Sequence, residues 1–152
     1  MWAKEYLSQL KILDLKITHT IEEIDHLKGL ALGRGIAYDK DHVQTSSQNA
    51  QEDLIAKWID LERQLDKQID EYTRQRNKII MQIYLLDDSR YIKILHDHYV
   101  PDAAGEVKSL EQISEEIGYS YDHVRRMHRS ALRVLGGMLP HNATIGSGNI
   151  VV

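Results

Sequence analysis

Four arginines, Arg125, Arg126, Arg129 and Arg133, crowd one short segment of this chain. Guanidinium groups on the outer face of a helix suit phosphate oxygens and the guanine edge exposed in the DNA major groove. Within residues 120–135 these four face Asp122 alone, a local net charge of +3 in a chain whose formal net charge is −4. The average therefore hides a basic face. His123 and His128 add ring donors. The expected chemistry is binding of double-stranded DNA, with His123, Arg125, Arg126, His128 and Arg129 as the contact candidates. The competing reading is the solvated face of a helical hairpin.

Two short helices joined by a turn must position these groups. Ser109-Leu110-Glu111-Gln112 has the form of a capping box, and Leu110, Ile113 and Ile117 follow at helical spacing. Gly118 sits where the first helix must end and reverse, which usually needs positive φ. Ser120 can cap the second helix, whose inner face is Val124, Met127, Ala131, Leu132 and Leu135, with Gly136-Gly137 expected to end it. This is the pattern of a helix-turn-helix. A short helix over 89–99, capped from Asp87-Asp88-Ser89, precedes it, and Pro101 and Gly105 mark the loop between.

The N-terminal half reads as two long helices. Over 4–28, Tyr6, Leu10, Leu13, Ile17, Ile21, Ile24 and Leu27 recur every 3.5 residues on average, the seam of a packed or supercoiled helix. Gly29, Gly33 and Gly35 are expected to stop it. Residues 29–48 form a long connection, and Asn49 and Glu52 fit a capping box for a second helix over 49–86. Its seam runs Leu54, Trp58, Leu61, Leu65, Ile69, Tyr72, Arg76, Ile79, Ile83, Leu86 and spans roughly 48 Å. The expected arrangement is all-α: a helical hairpin and oligomerisation region over 1–86, a helix-turn-helix domain over 88–137, and a mobile tail over 138–152. The longer second seam also predicts a homodimer.

The 152 residues hold no Cys, which excludes a disulfide framework, a thiol nucleophile and a cysteine-type zinc site. With 42% hydrophobic and 28% charged residues the chain is too apolar for disorder throughout. No apolar stretch reaches the roughly 18 residues of a membrane span, and the first residues do not read as a signal peptide. A soluble, cytoplasmic protein without membrane attachment is expected. His96 and His98 are two apart on a helix and share no face, and His123 and His128 pair poorly, so no metal is expected. Asp87-Asp88 reads as a cap, Gly33-Arg34-Gly35 lacks the preceding strand of a phosphate loop, and no nucleophile stands beside a base. No cofactor and no enzymatic activity are expected. Arg74, Arg76 and Lys78 are candidates for flanking DNA contacts, and Trp2 and Trp58 for core or interface anchors.

Residues 109–135 resemble the promoter-reading C-terminal domain (region four) of bacterial sigma factors through Leu110, Ile113, Glu116, Ile117, Gly118, Ser120, Val124, Arg125, Ala131, Leu132 and Leu135. The run 90–99 resembles the helix before that motif. Over residues 3–135 the chain is similar to small phage- and prophage-encoded regulators grouped with the ArpU and RinA late-gene activators. The stretches Ala3-Lys4-Glu5-Tyr6-Leu7, His42-Val43-Gln44-Thr45-Ser46 and Leu85 to Tyr91 carry that likeness. The resemblance implies a transcriptional regulator in a bacterial host that binds DNA through the start of the second helix, Tyr121, Asp122, Arg125 and Arg126 with Ser120 beside them, and acts with host RNA polymerase. Arg is commoner than Tyr at position 121 in the sigma pattern, and Gln than Arg at 126, so the promoter read by sigma factors does not carry over. The alternatives are a small-terminase-like DNA-packaging protein and a protein-interaction module without DNA.

Overall fold

The computed structural model describes residues 2–33 and 44–140, with the side chains of 44–47 left aside. Among them the fold is all-α, with five helices and no strand: α1 (Trp2–Ala31), α2 (Gln44–Ile83), α3 (Ser89–Tyr99), α4 (Leu110–Ile117) and α5 (Tyr121–Met138). Among the described residues no helix is long and apolar enough to cross a membrane.

The helix ends show which local signals prevail. Asp88 caps α3 by accepting from the Arg90 N–H. Ser109 and Gln112 close a reciprocal capping box on α4, and Ser120 caps α5 by accepting from the His123 N–H. Four expected boundaries move. α2 ends at Ile83 rather than at residue 86. Gly29 does not stop α1, which runs on to Ala31 before Gly33 turns left-handed at φ +82. Asn49 is not a cap, because α2 begins at Gln44. Gly136 and Gly137 lie inside α5, which continues to Met138, and Leu139 is buried. A helical glycine costs only about 1 kcal/mol, which the packing of the surrounding turns offsets. The rest of the expected 29–48 connection (34–43) and of the tail (141–152) lies outside the described residues.

The chain divides into two compact units, which cut across the expected 1–86 and 88–137 division. One comprises residues 1–14 with the chain from Tyr72 onward; the other is Leu15–Glu71.

The first unit holds the buried core. Ala3, Tyr6, Leu7 and Leu10 of α1 meet Ile79 and Ile83 of α2, Leu95 and Tyr99 of α3, and Ala131, Leu132 and Leu135 of α5. Tyr6 donates its hydroxyl proton to Gln82 Oε1. A second, smaller cluster of Ile94, Ile113, Val124 and Met127, flanked by Tyr91, Leu110 and Ile117, fixes α3, α4 and α5 to one another. An ionic network reinforces that junction. Lys93 bridges Asp97 and Glu116 at 2.8 Å each, and Lys108 bonds Glu116 at 2.8 Å. Hydrogen bonds from Lys108 and Lys93 hold the Glu116 carboxyl below its usual range.

The second unit is an antiparallel pair formed by the rest of α1 and the N-terminal part of α2. Lys28 bonds Glu62 at 3.0 Å, and Gln51 donates to the Ala31 carbonyl at 2.8 Å. Thr20, Ile24, Leu27 and Ala31 are buried on α1. On α2, Leu54, Trp58, Leu61 and Leu65 are only half-buried.

Candidate nucleic-acid interface

The α4–α5 corner depends on one backbone conformation. Gly118 adopts φ +74, ψ 20 and donates its N–H to the Ser114 carbonyl. A side chain there would be strained, since Cβ crowds the carbonyl in the left-handed region. Ser120 then restarts the chain in an extended conformation and satisfies a free N–H of α5.

One stripe of α5, Val124, Met127, Ala131, Leu132 and Leu135, is buried. Its opposite face is exposed and carries the arginines. Arg125, Arg129 and Arg133 succeed one another at i+4 along that face with Arg126 alongside, and all four are exposed. Among the described residues, Arg126, Arg129 and Arg133 make no ion pair. Arg125 reaches Asp122 only at 3.9 Å, and its guanidinium lies 5.6 Å from the centre of the exposed Tyr121 ring. An ionic contact that long and that solvated holds little. The stripe is thus a row of cations with unused donors, aligned on a helix whose other side is fixed.

The expected contact residues separate on inspection. Tyr121, Asp122, Arg125, Arg126 and Arg129 are exposed and lie on or beside this face. Ser120 is exposed but spends its hydroxyl oxygen on the cap. His123 is half-buried and stacks on Tyr119, ring centres 4.9 Å apart. His128 turns inward. Its Nε2 shares a 2.7 Å hydrogen bond with the Tyr99 hydroxyl, and its ring stacks on Tyr99 and meets His98 edge-on. Burial lowers the His128 pKa to about 4, helped by the neighbouring His98, Lys4 and Arg129 charges; burial likewise pushes Tyr99 up to about 12. Near neutral pH the His128 ring is therefore uncharged and already bonded, and it leaves the set of free donors on the helix surface.

Two residues join the site that the sequence did not single out. Arg90, at the start of α3, is gripped by Asp88 through Nε at 3.1 Å and a terminal nitrogen at 2.9 Å. Its guanidinium lies 5.9 Å from the Tyr119 ring. The hydrogen bond from Arg90 keeps the Asp88 carboxyl below the usual range and raises the Arg90 pKa in turn. Arg90, Tyr119, His123, Tyr121 and Arg125 thus bring a basic and aromatic group of side chains to the N-terminal end of α5. No local signal links Arg90 to Tyr119; only the packing of α3 on α4 and α5 brings them together. Of the flanking candidates on α2, Arg74 and Lys78 are exposed, whereas Arg76 is half-buried. Trp2 is half-buried and stacks on Tyr6, and Trp58 lies half-buried beneath the Lys28 ammonium at 5.6 Å.

Comparison of the chain with protein-family models, with curated proteins and with solved structures finds no match.

Proposed function

We propose that the chain is a DNA-binding transcriptional regulator of phage genes. In this reading α4, the Gly118 turn and α5 form a helix-turn-helix, α5 enters the major groove, and α4 crosses the phosphate backbone. The observation that carries it is the row Arg125, Arg126 and Arg129 on the exposed face of a helix whose opposite face is buried. Their donors have no strong acceptor among the described residues, and DNA supplies both phosphates and guanine edges for them. Tyr121 and Asp122 contribute from the first turn, Ser120 by holding that turn in place, and Arg90 by a phosphate contact beside it. The protein uses no cofactor, performs no catalysis, and works in the host cytoplasm with RNA polymerase as its further partner.

Homodimerisation belongs to the same reading. The α2 seam at Leu54, Trp58, Leu61 and Leu65 is only half-buried by α1, and a second copy can complete it. A dimer would also present two recognition helices to a two-part site.

The test is a mobility shift with DNA from the region that encodes the chain against random DNA, at two salt concentrations. Arg125→Glu with Arg126→Glu should weaken binding at least 100-fold, in line with about 1–3 kcal/mol per bidentate base contact. The logarithmic salt slope, near −0.9 per phosphate engaged, should become shallower. Equal affinity for all DNA, or none, overturns the regulator reading.

A further inference from the structure

Within the first unit, the start of α1 and the last turns of α5 leave a groove of about 300 Å³ between them, lined by Trp2, Ala3, Arg129, Leu132, Arg133 and Gly136. Its floor is apolar and narrow: a Cβ added at Gly136 would come within 3.5 Å of the Ala3 methyl. Trp2 is half-buried there rather than sealed into the core. The two arginines at its edge are exposed and make no ion pair among the described residues.

We infer that this groove docks an acidic segment of a partner protein, which places one apolar side chain between Trp2 and Leu132 and carboxylates on Arg129 and Arg133. Charge complementarity selects the partner's sign, because two arginines without an ion pair among the described residues line the opening. The apolar lining selects a protein over nucleic acid: a sugar-phosphate backbone offers the arginines their acceptors but nothing to cover the half-buried Trp2. Trp and Arg are also the side chains that most often carry the energy of a protein interface. The groove gives the proposed regulator a place to meet a protein partner, yet it stands or falls separately from DNA binding. Arg129 lies where the two surfaces adjoin.

The probe is a labelled 15-residue helical peptide with one central Leu flanked by Glu at i−4 and i+4, its binding to the full chain read by fluorescence anisotropy. Two controls replace the Glu residues by Lys, or the Leu by Ser. The Glu–Leu peptide should bind at least tenfold tighter than either control. Gly136→Leu, which fills the groove, should abolish that binding while leaving the DNA mobility shift unchanged. Arg133→Glu should weaken the Glu–Leu peptide tenfold and favour the Lys-flanked one, a reversal that misfolding cannot produce. Binding of all three peptides alike, or binding that survives Gly136→Leu, overturns the inference. So does a Gly136→Leu protein that keeps its fold but loses duplex DNA, which would make the groove a nucleic-acid contact. A native dimer that Gly136→Leu converts to monomer overturns it as well, since the occupant would then be a second copy.

Discussion

The same repeating pattern meets two fates in this chain. In the first compact unit, α1 and α2 supply Tyr6, Leu7, Leu10, Ile79 and Ile83, all fully buried, because α3 and α5 close over them. In the second, the identical spacing continues through Leu54, Trp58, Leu61 and Leu65, yet none of these is fully buried, and Leu15, Ile21, Ile59 and Ile69 are exposed. Neither buried core cluster contains a residue of the second unit. Seam periodicity thus fixes which face of a helix is apolar; a further layer of structure decides whether that face leaves water. Two helices side by side can bury a line of contact, whereas a core needs elements on more than one side.

That contrast is open to measurement. Leu10→Ala should cost about 3 kcal/mol in a urea melt, as deletion of a well-packed core side chain does. Leu65→Ala, at the half-open seam, should cost about 1 kcal/mol. Equal costs would mean that something covers the second seam in solution. If the Leu65→Ala cost rises with protein concentration, that cover is another copy of the chain.

Acid should act on the first unit through His128. Its pKa of about 4 in the fold lies below the roughly 6.5 of an unfolded chain. Between these values the unfolded state binds more protons, so stability falls as pH drops from about 6.5 toward 4, and is fully present above 6.5. Protonation would also put hydrogens on both ring nitrogens, so Nε2 could no longer accept from Tyr99. The loss should be about 1 kcal/mol once partial solvent exposure is allowed for. His128→Phe should flatten this limb of a stability–pH curve; an unchanged limb would place its origin elsewhere. The carboxylates with lowered pKa, Asp88, Asp97 and Glu116, act in a lower window. Burial alone would raise Asp97, but Lys93, His96 and Lys108 outweigh it. The stability these three groups add is present above their unfolded pKa values and is lost as pH falls through the folded ones.

The smallest effect belongs to the second unit. Glu62→Gln removes the partner of Lys28, and because both side chains are about half-exposed it should cost below about 0.5 kcal/mol, less still at high salt. A larger cost in a thermal melt would again mean a covered face.

Legibility followed the range of the interactions. Asp88, Ser109, Gly118 and Ser120 could be read directly, because a cap or a left-handed turn is settled within a few residues. The amphipathic faces of α1, α2 and α5 were readable for the same reason. Gly29 and Gly136 misled, since glycine only weakens a helix and tertiary contacts make up the difference. His128 misled because its partner Tyr99 lies 29 residues away; helical spacing alone leaves it next to the surface arginines. Arg90 and Tyr119 were invisible as a pair for the same reason.

The chain contains two tryptophans, and the fold assigns one to each unit: Trp2 against Tyr6, and Trp58 beneath Lys28. Intrinsic emission therefore comes from two separate vantage points. With either indole replaced by phenylalanine, the remaining one watches its own unit through a denaturation. Superimposed traces would describe one cooperative block; displaced traces would describe a sequential melt in which the half-open unit unfolds before the α3–α5 core gives way.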